Sequence, residues 1–144
     1  MPLYPGIVLD ESEAVLGVTQ FDITSTTYAT TNLSITLPGP GKYIVWAEMR
    51  QGVQVSASPN GAINTEFYNT TDAAAVANSE RLGQVAAQNG VGSTGTVRMQ
   101  ATVRITASKT IALYAKRASG PMYTSCYLYS DSDGRTVMGY LKIA

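Results

Sequence analysis

Thr96-Val97-Arg98-Met99-Gln100-Ala101-Thr102-Val103-Arg104-Ile105-Thr106 alternates without a break, with Val97, Met99, Ala101, Val103 and Ile105 on one parity and Arg98, Gln100, Thr102 and Arg104 on the other. Successive side chains of a strand point to opposite faces, whereas a helix repeats every three to four residues, so this stretch is a strand with one apolar and one polar face. Leu33, Ile35 and Leu37 against Ser34 and Thr36 repeat the pattern, as do Ile111, Leu113 and Ala115 against Ala112, Tyr114 and Lys116. Strands of this half-buried kind belong to antiparallel sheets.

Outward from these three segments, strands are predicted at 14–23, 32–37, 42–50, 53–57, 63–69, 82–88, 96–107, 109–116, 123–130 and 135–144. Pro38-Gly39-Pro40-Gly41, Ser58-Pro59-Asn60-Gly61, Asn89-Gly90, Ser119-Gly120-Pro121 and Asp131-Ser132-Asp133-Gly134 separate them with residues that set or tolerate turn dihedrals. About ten short strands with regular punctuation predict a single all-β domain, an antiparallel sandwich. One helix is predicted, at 73–81, capped by Thr71 or Asp72. Residues 1–13 read as an extended arm, because Pro2, Pro5 and Gly6 oppose both helix and central strand; residues 14–144 form the domain. Such an arm can lie across a neighbour and bury Leu3, Tyr4, Ile7 and Leu9 there, with Pro2 and Pro5 presetting its path.

The chain has 144 residues, 10 basic and 10 acidic, for a formal net charge of +0. That length suits one domain with an independent core, and the neutral balance supplies no attraction to nucleic acid or to a membrane surface. Thr, Ser, Asn and Gln occupy positions where a freely diffusing enzyme usually carries Lys and Glu, a surface suited to packing in an ordered assembly. Cys126 is the one cysteine and histidine is absent. Ser-His-Asp and Cys-His nucleophile systems and the usual zinc sites are therefore excluded, and no cofactor is expected. No basic segment followed by an apolar core opens the chain, so synthesis in a cytoplasm is expected.

Three motifs invite chemistry and fail its requirements. Gly90-Val91-Gly92-Ser93-Thr94-Gly95 matches a dinucleotide fingerprint, but that fingerprint opens a helix and this one opens the best strand of the chain. Asp131-Ser132-Asp133-Gly134 begins like a calcium loop, yet Thr136 stands where glycine is needed and Lys142 where glutamate is. Glu48, Glu66, Glu80, Asp131 and Asp133 are the carboxylates from which a glycosidase pair could be drawn, and no spacing singles out two of them. Tyrosine is abundant. Tyr114, Tyr127, Tyr129 and Tyr140 offer rigid contact area with a polar tip, suited to a subunit interface, a sugar platform or the edge of a core. Trp46, Arg98 and Arg104 join them as candidate interface residues, with solvation the alternative for the arginines.

Pro40-Gly41-Lys42-Tyr43-Ile44-Val45-Trp46, the paired segments Val103–Ala107 and Lys109–Leu113, and Val137-Met138-Gly139-Tyr140-Leu141 together resemble the tumour necrosis factor-like and complement-type globular heads over residues 32–144. The resemblance implies a ten-strand jelly-roll that forms a homotrimer, with Trp46, Tyr114, Tyr127, Tyr129 and Tyr140 at the subunit contact. Fold and function separate readily, so it does not imply a cytokine. Heads of this kind also occur in bacteriophage virions, where two roles compete. One is a capsid cement or decoration protein on the outer head surface, its arm (Pro2, Leu3, Tyr4, Pro5, Ile7, Leu9) gripping the major capsid protein. The other is the receptor-binding head of a tail fibre, which would recognise a host-surface glycan or protein through the loops at 58–61 and 88–95.

Overall fold

A computed structural model describes residues 10–57, 60–86 and 92–144. They form two antiparallel sheets packed face to face, from eleven strands: β1 (Glu11–Val15), β2 (Gln20–Asp22), β3 (Ala29–Leu37), β4 (Gly41–Ala57), β5 (Gly61–Asn69), β6 (Ala74–Ala75), β7 (Arg81–Ala86), β8 (Ser93–Ile105), β9 (Lys109–Arg117), β10 (Met122–Tyr129) and β11 (Val137–Lys142). In the first sheet β4 is the spine. β8 runs along one side of it, while β11 and β10 follow one another along the other side. β1 lies outside β11, and β2 outside β10. The second sheet runs β3, β9, β5, with β7 and β6 beyond β5. The all-β sandwich expected from the alternation is what the chain adopts.

The inward parity of each strand builds one core. Leu37 from β3, Tyr43, Val45 and Met49 from β4, Ile63 and Phe67 from β5, Ile111 and Leu113 from β9, Leu128 from β10 and Met138 from β11 are buried completely. The buried side chains of Thr31, Gln51 and Thr136 are paired, as burial requires. Thr31 donates to the Leu113 carbonyl (2.8 Å), and Gln51 accepts from the Gln84 amide (2.9 Å). Thr136 donates to the Tyr129 carbonyl (2.7 Å) and accepts from the Arg50 amide (3.0 Å), so one hydroxyl joins β4, β10 and the segment leading into β11. Thr136→Val keeps the shape and leaves the Arg50 N–H without its acceptor. A loss of about 1–3 kcal/mol is expected in urea unfolding, against little change for Thr136→Ser. Cys126 is buried, and burial pushes its thiol up to about 12, which suits the small hydrophobe expected there.

Three boundaries differ from the sequence reading. The arm was expected to reach residue 13, but Glu11–Val15 pairs with β11, so the sandwich begins by Glu11. The expected break between 50 and 53 is absent: β4 continues through Gln51 and Gly52 because β8 pairs with it in unbroken register from Gly41↔Ile105 to Val53↔Ser93. The expected helix at 73–81 does not form. Asn69 and Asp72 exchange hydrogen bonds (2.8 and 3.0 Å), Ala73 and Asn78 take φ of 52° and 60°, and Ser79 bonds back to the Val76 carbonyl and the Phe67 amide. An isolated helix of this length is marginal, and these turns hold Val76 against the core instead.

Candidate functional site

The outward face of the first sheet carries aromatic side chains that are only half buried. Trp46 pairs across strands with Gly139, and a Cβ at Gly139 would meet Trp46 Cζ2 at 2.5 Å. The indole therefore lies over bare backbone. Tyr127 repeats the device over Gly52, its partner on β4. The Tyr127 and Tyr129 rings meet edge to face at 5.5 Å, and the Arg50 guanidinium sits 4.1 Å from the Tyr129 centroid. These rings and the guanidinium make this part of the face aromatic and partly exposed.

Around Trp46 the face is concave. A groove of about 570 Å³ has Ile44, Trp46 and Leu141 among its lining, with Glu11 and Glu13 of β1 on one side and Arg98 and Gln100 of β8 on the other. Its two flanks therefore carry opposite charge.

Arg50 also pairs with Asp131 and donates to the Gly134 carbonyl (2.9 Å), closing the Asp131–Gly134 turn. The Asp131 carboxylate is thus engaged by a cation of the protein itself. Among the described residues no group of three or more His, Cys, Asp or Glu could hold a metal ion. The Arg50 hydrogen bond holds the Asp131 carboxyl below the usual carboxylate range. A folded value below the unfolded one stabilises at pH above the ordinary carboxylate pKa of about 3.9, and that contribution is lost as pH falls through the folded value. Asp131→Asn is accordingly expected to be less stable than wild type at neutral pH. The gap should close in acid, read from urea midpoints across the pH range.

The five expected interface residues do not share a surface. Trp46, Tyr127 and Tyr129 lie together on the outward face of the first sheet. Tyr114 lies on the outward face of the second, stacked on Tyr68 (4.4 Å between centroids, 13° between planes). Tyr140 points into the sandwich at 6% exposure, its ring edge-on to Tyr43 at 5.4 Å and its hydroxyl donating to Asp10 Oδ1 (3.1 Å). Parity along β11 gives the reason: Met138 and Tyr140 face inward, which turns Gly139 outward beneath Trp46. The arm residues Pro2, Leu3, Tyr4, Pro5, Ile7 and Leu9 lie outside the described residues, as does part of each loop at 58–61 and 88–95. The described end of the GxGxxG stretch leads directly into β8, and no helix follows.

Near Tyr114, the Tyr28 hydroxyl donates to Glu80 (2.5 Å) and Lys116 Nζ lies 4.3 Å from the Tyr28 centroid and 3.7 Å from Glu80. Burial, then the neighbouring Glu80 charge, raises the Glu66 carboxyl above its ordinary value. The sequence reading missed Tyr28 and Tyr68. The outward parity of Tyr68 beside inward Phe67 was legible; the cross-strand register that sets it against Tyr114 was not.

No protein-family model matches the chain, and no curated protein matches it in sequence. Among solved structures it is similar to a chain of the T13 viral particle of IBDV, with a TM-score of 0.58 and 16% sequence identity. The likeness is one of fold. It covers 93% of this chain and 31% of the other, so this chain spans about a third of that neighbour's length.

Proposed function

We propose that this chain is a structural virion protein: a trimeric capsid cement or decoration protein that binds the outside of a bacteriophage head and stabilises contacts between major-capsid subunits. The observation that carries the reading is the likeness of nearly the whole sandwich to a chain of a viral particle. The chemistry is consistent with a mechanical role, since histidine is absent and the one thiol is buried. Under this reading Trp46, Tyr127 and Tyr129 face neighbouring subunits of the trimer, and the arm residues Pro2, Leu3, Tyr4, Pro5, Ile7 and Leu9 grip the major capsid protein. Cohesion then comes from multivalency, because three modest contacts on one rigid trimer act together through high effective concentration. The test is co-sedimentation of purified protein with phage heads that lack it. Saturable binding in multiples of three supports the reading, and no binding to expanded heads contradicts it.

A second reading, the receptor-binding head of a tail fibre, is favoured by the other aromatic face. Stacked Tyr68 and Tyr114 beside Glu66 form a surface on which a sugar ring could stack and hydrogen-bond. Under that reading host-cell binding survives removal of the arm and is lost in Tyr114→Ala.

A further inference from the structure

Two edge strands of the first sheet, β8 and β1, carry opposite charge. β8 pairs with β4 alone among the described strands, over 13 consecutive residues and with no register shift. Edge strands are normally protected by prolines, bulges, inward-pointing charges or charged side chains, because their unpaired backbone groups otherwise recruit another chain. β8 has no proline, bulge or inward-pointing charge; what it carries is outward positive charge, which repels a like edge and admits one of opposite sign. Its inward residues Val97, Ala101 and Val103 are only half buried, and its outward face presents Arg98 and Arg104. At the opposite edge β1 pairs with β11 alone among the described strands and presents Glu11 and Glu13. Among the described residues none of these four charges has an ion-pair partner. Glu48 stands across from Arg98 in the ladder without forming an ion pair, and the partner of Arg104 there is the like-charged Lys42.

We infer that the β8 edge of one subunit docks against the β1 edge of the next, so that Arg98 and Arg104 meet Glu11 and Glu13 of a second copy of this chain. The inference rests on the trimer proposed above and names its contact. Opposite charges on opposite edges make a head-to-tail interface, and a head-to-tail interface that closes gives a ring. Pairing β8 with β8 would set the arginines against one another, and like charges across an interface are costly. In the ring the outward faces of the three first sheets turn toward the axis. The groove around Trp46, with Tyr127 and Tyr129 beside it, is then covered by neighbouring subunits. Charge fixes which edges meet, and the apolar floor supplies buried area.

The test is sedimentation equilibrium of the full chain and four variants, with circular dichroism to confirm folding. Wild type is expected to be a trimer. Arg98→Glu with Arg104→Glu, and separately Glu11→Lys with Glu13→Lys, should each raise the concentration needed for half-assembly by about 100-fold or more. Combining all four reversals in one chain should restore the trimer. The milder Arg98→Gln with Arg104→Gln should weaken it by a smaller factor. All four side chains lie at the sheet's edges, and wild type supplies a further readout that no substitution affects. Its trimer should loosen as salt rises from low concentration to about 1 M, where the screening length falls to about 3 Å. A trimer indifferent to salt and to either reversal overturns the edge contact while leaving the trimer standing, as does a folded four-fold variant that stays monomeric. A wild-type dimer or monomer overturns both.

Discussion

Phe67→Ala is expected to remove about 3–5 kcal/mol of stability, because Phe67 is fully buried in β5 and its truncation leaves a cavity between paired strands. The backbone on either side is held. The Phe67 amide donates to Ser79 Oγ (3.0 Å), the Phe67 carbonyl accepts from the Val76 amide (2.8 Å), and β5 is paired with β9 in register from Ile63 to Asn69. Against a total of about 5–15 kcal/mol for a domain of this size, the variant is near the threshold of folding. Its melting temperature should fall by roughly 10–20 °C. Both proteins must be melted at one subunit concentration, since assembly itself stabilises. A drop of under about 1 kcal/mol would mean that the two sheets do not close over Phe67.

The second large effect is functional. Deleting residues 1–9 is expected to leave the sandwich and its trimer intact and to abolish binding to phage heads. Asp10 is anchored without them: its carbonyl accepts from the Lys142 amide (2.8 Å), and its carboxylate accepts from the Tyr140 hydroxyl (3.1 Å). β1 begins one residue later and keeps its five-residue ladder with β11. The melt should therefore superimpose on that of the full chain. Because three arms would act together, losing all of them should weaken head binding by at least ~100-fold. Unchanged head binding after the deletion would move the capsid contact from the arm to the sandwich.

Much of the fold was legible because alternation is a direct image of the pleat. The parity of Thr96–Thr106 names the inward and outward faces of β8, and the same holds for Leu33, Ile35 and Leu37 in β3. What alternation cannot reveal is which strand lies next to which. Gly52 reads as a break until Tyr127 is seen to need the space above it, and Gly139, placed in the last strand by sequence, gives no sign there that Trp46 lies across it. Residue type alone suggests a subunit contact for Tyr140, whereas its parity with Met138 puts it inside. The alanine run at 73–81 has helical propensity, but its fate was settled by hydrogen bonds to Asn69 and Ser79 that local propensity does not contain. The opposite charges of β1 and β8 are plain in the sequence; that both are edge strands of one sheet is a fact of topology alone.

The central claim, a structural protein on the outside of a phage head, is tested most directly by imaging intact particles labelled with gold-tagged antibody against this chain. Regular label over the head surface is the result expected of a decoration protein. Label confined to the tail tip, or absent from the particle altogether, would contradict it.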